Sequence, residues 1–479
     1  MLETKRIFKN TAFLFVSHLV NIILSFVLVV AIARYLGDEG LGKYSFAFAF
    51  AGLLSLFSDL GEMDFVLREV SKNKKLTEKY ISNLAGLNLC LGVVSIVIPA
   101  VIILIARQPL HMVYAVILAS IATFFINYNK VNFVLFRSYE VMEYESMSII
   151  IERFVALILG LAVLMKGYGI VALLLVLMVS NIAAFLFSHF IKKKRISNIK
   201  LSFDKGFWNF LIKNGMPFWF TGLFMNIYFR IDTIMLGFMT NYAIVGWYNA
   251  AYKVIDVLGK VPFIATAALF PVMSRFFVSS KDTLKKIFQK SCYYLFILAV
   301  PVGIGGVLLA DRIILFVFKS QFKESVIALQ ILIWAVVFMF VNYVIGFLLN
   351  SIEKPKLFTI TTGVCAVFNV ILNFILIPIY SYKGAAFATV ITEALNFALL
   401  YYFASKNGFK LNLAAITIKP IIAGILMGVL LIYLKNIHLL LLIPIAAVFY
   451  FLVLLMIKGF SKDEFEIARV ILKSKSSDG

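Results

Sequence analysis

The residues able to do chemistry stand where a lipid-like sequence should carry none. In the run "GMPFWFTGLFMNIYFRIDTIMLGFM", Arg230 and Asp232 are two residues apart among apolar neighbours. A charge at the centre of a bilayer costs about 3 kcal/mol or more, so it almost always faces a bundle interior, a cavity or a partner. Asn226, Arg230 and Thr233 put one polar stripe along that helix. In the next apolar stretch Asn249, Lys253, Asp256 and Lys260 fall within an arc of about 60°. Asn21 lies between Ser17 and Ser25 on a stripe of the first stretch, and Arg34, Lys130 and Arg153 add positive charge. Such a set suits an oxyanion, because guanidinium grips phosphate with two prongs and lysine acts as a point charge. The substrate-binding candidates are therefore Arg230, Lys253, Arg34, Asn249, Lys260, Asn226, Asn21, Arg153 and Lys130.

Each has a plainer reading. Arg153 adjoins Glu152 and reads first as an ion pair, while Lys130 and Lys260 lie near helix ends, where snorkelling to the interface is equally at home. For Arg230 and Lys253 the substrate reading leads, since Asp232 points to a different face from Arg230. Among the acids, Asp59, Glu62, Glu393, Asp256 and Asp232 form an ion-coupling set. An intramembrane carboxylate can take a proton or sodium ion and couple it to motion, and it can equally neutralise a lysine. The four histidines are scattered without ligand spacing, and Cys90, Cys292 and Cys365 lie far apart, so no metal site, disulfide framework or cofactor is expected. Trp219, Trp247, Tyr248 and Tyr252 are candidates to stack on sugar rings, against a default role in packing or the interfacial belt.

The elements that must position these residues are membrane helices. The 479 residues are 62% hydrophobic and 14% charged, with a mean hydropathy of +0.98, which excludes a soluble domain. A spanning helix takes about 20 mostly apolar residues. Fourteen windows qualify, near 11–34, 42–66, 81–106, 110–136, 146–165, 168–190, 214–240, 243–273, 291–310, 325–350, 357–379, 384–404, 413–434 and 438–457. Their long unbroken runs exclude a transmembrane barrel. The first is too long for a cleaved signal and is expected to be retained. The net charge of +21 gathers in alternate connections, the positive-inside pattern, which places a multi-pass protein in the plasma membrane with both termini cytoplasmic. Nucleic acid is thereby excluded as the reason for the charge, and only the end, "KSKSSDG", reads as disordered.

The chain also repeats. Leu36, Gly37, Gly42 and Tyr44 are answered by Leu236, Gly237, Gly246 and Tyr248. Gly169 and Asn181 are answered by Gly384 and Asn396 in the same order. The predicted fold is an all-α integral membrane protein of about fourteen helices. Two six-helix lobes (1–195 and 196–410) are related as parallel repeats, with two further helices (411–458) and a cytoplasmic tail (459–479). Parallel repeats commonly enclose a substrate path and rock about it, which points to a transporter.

The patterns at Ala33 to Gly61, Arg230 to Lys253, "LFPVMSR" (269–275), "LNSIEKPK" (349–356) and "KGAAFATVITE" (383–393) make the chain resemble the polysaccharide flippases of the multidrug/oligosaccharidyl-lipid/polysaccharide exporter superfamily. That resemblance implies alternating access through a central cationic cavity, carrying a lipid-linked (pyro)phosphate oligosaccharide from the cytoplasmic to the outer leaflet. The residues themselves show no catalytic constellation, a monomer is expected, and the drive is a proton or sodium gradient taken up by the acids or the membrane potential acting on the headgroup charge. Two rivals stand beside it. A multidrug or cation exporter of the same superfamily would want an acidic or aromatic cavity, and a membrane-embedded sugar-lipid enzyme would want a large outer loop with clustered acids or histidines.

Overall fold

The computed structural model describes residues 2–196 and 199–460, and of residues 2–9 and 11 the backbone alone. The tail beyond Phe460, with "KSKSSDG", lies outside the described residues. Fourteen α-helices are present among them and no strand: α1 (Leu2–Leu54), α2 (Glu62–Lys72), α3 (Thr77–Ile105), α4 (Leu110–Ser138), α5 (Glu143–Met165), α6 (Ile170–Arg195), α7 (Lys205–Met239), α8 (Tyr242–Ser279), α9 (Lys281–Leu308), α10 (Ala310–Phe318), α11 (Ser325–Ser351), α12 (Pro355–Lys406), α13 (Leu413–Tyr433) and α14 (Leu439–Met456).

Eleven spans are long and apolar enough to cross a membrane. Two are twice the length of a crossing: Ala12–Ser58 and Pro355–Lys406. Each folds back at one residue outside helical geometry, Gly37 (φ 70°) in α1 and Ser381 (φ 54°) in α12. Glycine enters that region without strain, whereas serine does so at a cost. Helix α7, with Arg230 and Asp232, is not among the eleven, yet at 35 residues it is long enough to span and supplies the fourteenth crossing. Helices α2 and α10 are too short to cross.

One expected window does not hold as a single helix. Residues 42–66 read as unbroken, but α1 ends at Leu54, a 3-10 turn covers Ser55–Ser58, and α2 begins at Glu62. Asp59 Oδ1 accepts from the Gly61 amide at 3.0 Å and Gly61 takes φ +85°, a local turn that competes with continued helix. Asp59 therefore caps a break, and Glu62 and Asp64 open a new helix.

The described chain forms two compact units. The first comprises residues 1–253, 318–322 and 362–385, the second 254–317, 323–361 and 386–479. Their borders differ from those of the sequence repeat, since α1 packs against α7. In the first unit Met63, Phe65, Val66, Tyr80, Leu84 and Leu211 join α2, α3 and α7 in one core. In the second, Val300, Met427, Leu442 and Tyr450 join α9, α13 and α14, and the Tyr450 hydroxyl donates to the Ile297 carbonyl at 2.9 Å. Large side chains such as Ile425, Val429, Ile432, Leu441 and Val448 remain exposed on α13 and α14, as a face bathed in lipid requires.

Candidate functional site

Within the first unit, the second half of α1 is the backbone of the site. Arg230 on α7 is half-buried, and its Nη1 donates to the carbonyl of Phe48 at 3.2 Å. Gly52, one turn further on, makes room for it: a Cβ there would lie 2.3 Å from Arg230 Nη1. Tyr44, one turn before Phe48, lies within electrostatic reach of Lys253, Arg153 and Glu152. Lys130 on α4 is solvent-accessible although it lies within electrostatic reach of Asp59, Asp64, Arg230 and Arg137. Three expected cations, from α5, α7 and α8, thus lie near one helix segment, and Lys130 on α4 is within electrostatic reach of one of them, Arg230.

Other expectations fall out differently. Arg153 Nε is 2.8 Å from Glu152 Oε2, so the ion pair expected from the sequence forms. Asn249 is 6% exposed, its amide spent on the Val245 carbonyl and its Oδ1 accepting from Thr233. Asn226 likewise donates to the Gly222 carbonyl, and Asn21 Oδ1 accepts from Ser25. The Asn226 and Asn21 side chains serve their own helices, and Asn249 also links α8 to α7 through Thr233. Arg34 is exposed beside the Gly37 break, and in the second unit Lys260 is exposed and Asp256 half-buried on α8.

Of the aromatic candidates, none of three is free to stack on a sugar by its polar end. Tyr248 is fully buried and donates to Asp232 Oδ2 at 2.7 Å. Trp247 Nε1 donates to Asp38 Oδ2 at 2.8 Å, and Trp219 Nε1 to the Leu56 carbonyl at 3.0 Å.

The acids are better satisfied than their spacing suggested. Asp232, 4% exposed, also accepts from Asn373 Nδ2 at 2.7 Å. That single amide faces two further oxygens, the carbonyl and Oδ1 of Asn369, at 3.0 and 2.9 Å. The Asn373 amide thus ties Asp232 on α7 to the Asn369 turn of α12. Glu62, fully buried, accepts from Asn88 Nδ2 at 3.0 Å. Glu393, in the second unit, accepts from Asn342 Nδ2 at 2.8 Å. Asn88, Asn342 and Asn373 were not singled out in the sequence, where an asparagine in an apolar run says only that something polar must meet it. The same holds for Glu145, 1% exposed, which takes Arg137 in a two-pronged pair at 2.8 and 2.6 Å.

A cavity of about 750 Å³ opens near the Gly37 break, lined mostly by apolar residues with Lys43, Glu39 and His111. Lys43 is paired with Glu39 at 2.8 Å, and none of the expected site residues lines this space, so the cationic group along α1 remains the candidate site.

Residues 7–277 match the family profile described as "Polysaccharide biosynthesis protein", and residues 217–375 match "MatE". The chain is 29% identical over 209 residues to the probable low-salt glycan biosynthesis flippase Agl15 of Haloferax volcanii. That alignment spans 42% of this chain and 44% of that one, less than half of either. It is 21% identical over 401 residues to the capsular polysaccharide biosynthesis protein CapF of Staphylococcus aureus, covering 82% of this chain and 98% of the other. In fold it is similar to a lipid II flippase MurJ in an inward closed conformation, with TM-score 0.80, 16% identity, and 93% and 98% of the two chains covered. An inward-facing MATE transporter aligns with TM-score 0.65 at 16% identity over 81% and 95%.

Proposed function

The chain belongs to the polysaccharide biosynthesis protein family, among the flippases of the multidrug/oligosaccharidyl-lipid/polysaccharide exporter superfamily, and on that premise we propose that it carries a lipid-linked (pyro)phosphate oligosaccharide from the cytoplasmic to the outer leaflet by alternating access. The observation that supports this reading is that Arg230, Lys253 and Arg153 lie near the second half of α1, with Lys130 within electrostatic reach of Arg230. In this mechanism Arg230 and Lys253 take the phosphate and Lys130 extends the positive field, while the isoprenoid tail stays in lipid. Arg153 is shared with Glu152 and contributes field more than direct contact.

Of the five acids, Asp232 is the one whose surroundings suit an ion-coupling role. It lies buried among side-chain oxygens of Tyr248, Asn373 and Asn369, where α7, α8 and α12 meet at one point. A hard monovalent cation is bound by oxygens in this manner. Occupation of that point would bias the packing of three helices, one of which carries Arg230.

The second reading, export of a cationic or drug-like molecule, is favoured by the MatE match over residues 217–375. The concentration of positive charge along α1 opposes it, since a cation would be repelled there.

The test is reconstitution in vesicles with a fluorescent undecaprenyl- or dolichyl-linked (pyro)phosphate oligosaccharide. Wild type is expected to accelerate its crossing, with Arg230→Ala and Lys253→Ala each slowing it at least tenfold at equal protein level. Crossing at the protein-free rate, or normal transport by both variants, overturns the proposal.

A further inference from the structure

Lys192 is a buried cation that the transport reading does not use. The last turn of α6 reads Lys192, Lys193, Lys194, Arg195, and three of these basic residues behave as the end of a membrane helix should, reaching for solvent. Lys192 does not: it is 7% exposed, and its ammonium makes no hydrogen bond or ion pair with any described residue. The side chain as a whole is covered to that degree while the nitrogen keeps some open space beside it, so the ammonium is partly desolvated with no protein group to compensate it.

What faces it is a small cavity of about 90 Å³ between α3, α4 and α6. One water needs about 10–15 Å³ of such space, so the cavity has room for a group of several heavy atoms. Its lining mixes Lys192, His189, Asn132 and Tyr128 with apolar residues such as Val131 and Phe185, the Phe185 ring packing against both Tyr128 and His189. His189 sits one turn from Lys192 on the same helix, and no carboxylate lines the cavity. The wall therefore offers hydrogen-bond donors and positive charge with no acid to balance them.

We propose that α3, α4 and α6 enclose an oxyanion site in which Lys192 is the cationic ligand, taking the phosphate of an anionic lipid headgroup or inorganic phosphate. Basic pockets between membrane helices near one surface are suited to lipid phosphates, and Lys193, Lys194 and Arg195 draw anions to the entrance. His189 and the second hydrogen of the Asn132 amide, whose first goes to Asn129 Oδ1, orient the oxygens, and the apolar residues of the lining receive the first carbons of a glycerol backbone. The site involves none of the residues assigned to the transported substrate.

The experiment uses the full chain in zwitterionic detergent, with native mass spectrometry and thermal unfolding read against phosphatidylglycerol, phosphatidylcholine and inorganic phosphate. Phosphatidylglycerol is expected to bind and to raise the melting temperature of wild type and of Lys193→Met, with no such effect from phosphatidylcholine. Lys192→Met should bind at least tenfold more weakly and, without lipid, melt no lower than wild type, because an uncompensated charge has been removed. Asn132→Leu, which alters the cavity but no charge, should weaken binding in the same direction. If inorganic phosphate alone reproduces the shift with the same dependence on Lys192, the site stands and the free ion is its ligand. Equal binding of phosphatidylglycerol and phosphate by wild type, Lys192→Met and Asn132→Leu, or no binding by wild type, overturns it.

Discussion

Arg230, the residue proposed to take the phosphate, is held in place by its own surroundings. The Phe48 carbonyl holds one prong of its guanidinium at 3.2 Å and Gly52 leaves the space it occupies. Lysine at this position keeps the charge but loses the fork, and a charge-assisted hydrogen bond is worth about 1.5–3 kcal/mol. Arg230→Lys is therefore expected to slow flipping about tenfold in the vesicle assay while leaving protein level unchanged. Gly52→Ala should act through the same side chain, since its methyl would lie 2.3 Å from Nη1. A normal rate in Gly52→Ala would show that Arg230 has no need of this placement. The Arg137–Glu145 pair is a separate matter of stability. Removing one partner of a buried pair costs about 3–5 kcal/mol, and the arginine side chain here is 42% exposed. Arg137→Met should thus cost about 2–3 kcal/mol in a denaturation measurement, nearer the effect of an unsatisfied buried group.

At the scale of elements, the two repeats meet through their matching glycines. A Cβ on Gly42 would lie 1.7 Å from the Tyr242 carbonyl oxygen, and one on Gly246 would lie 2.0 Å from that of Asp38. Backbone therefore touches backbone where the second half of α1 meets the start of α8, and the Trp247–Asp38 hydrogen bond fastens the same junction. The repeated "G…Y" pattern is explained by this approach, which no side chain permits. Gly42→Val is expected to hold this junction apart. Its signature would be a faster reaction of a cysteine placed at position 34 with a membrane-impermeant maleimide, together with slowed flipping. At the other fold-back, Ser381 carries a left-handed φ that costs a non-glycine residue roughly 1–3 kcal/mol. Ser381→Gly should raise stability by about 1 kcal/mol, measured by thermal unfolding, once the entropy of the added glycine is subtracted.

At the scale of the whole molecule, the question is what gives transport its direction. A headgroup of charge near −2 leaving a negative interior gains about 4–5 kcal/mol at 100 mV, taking about 2.3 kcal/mol per charge. Clamping the potential of vesicles at zero with potassium and valinomycin is therefore expected to abolish the directional bias while leaving exchange between leaflets intact. If the bias survives at zero potential and follows a sodium or proton gradient, Asp232 becomes the coupling group, and Asp232→Asn should then remove that dependence.

The sequence by itself determined the class of fold, the number of crossings and the faces on which polarity lies. Burial in hydrocarbon is unconditional, so an apolar run of sufficient length must span, and a charge within it must turn inward. The polar stripes of α7 and α8 were legible for that reason, as was the Arg153–Glu152 pair. Helical spacing states which face a residue occupies but not what meets it. Only the tertiary structure decided that Tyr248 and Asn373 would close on Asp232, that Asn249 would be spent on Val245 and on Thr233 of α7, that the window 42–66 would break at Asp59, and that Lys192 would be drawn inward while its three basic neighbours reached for water. Each of those outcomes depends on partners far away in the chain, and desolvation makes their identity matter more than the residue's own type.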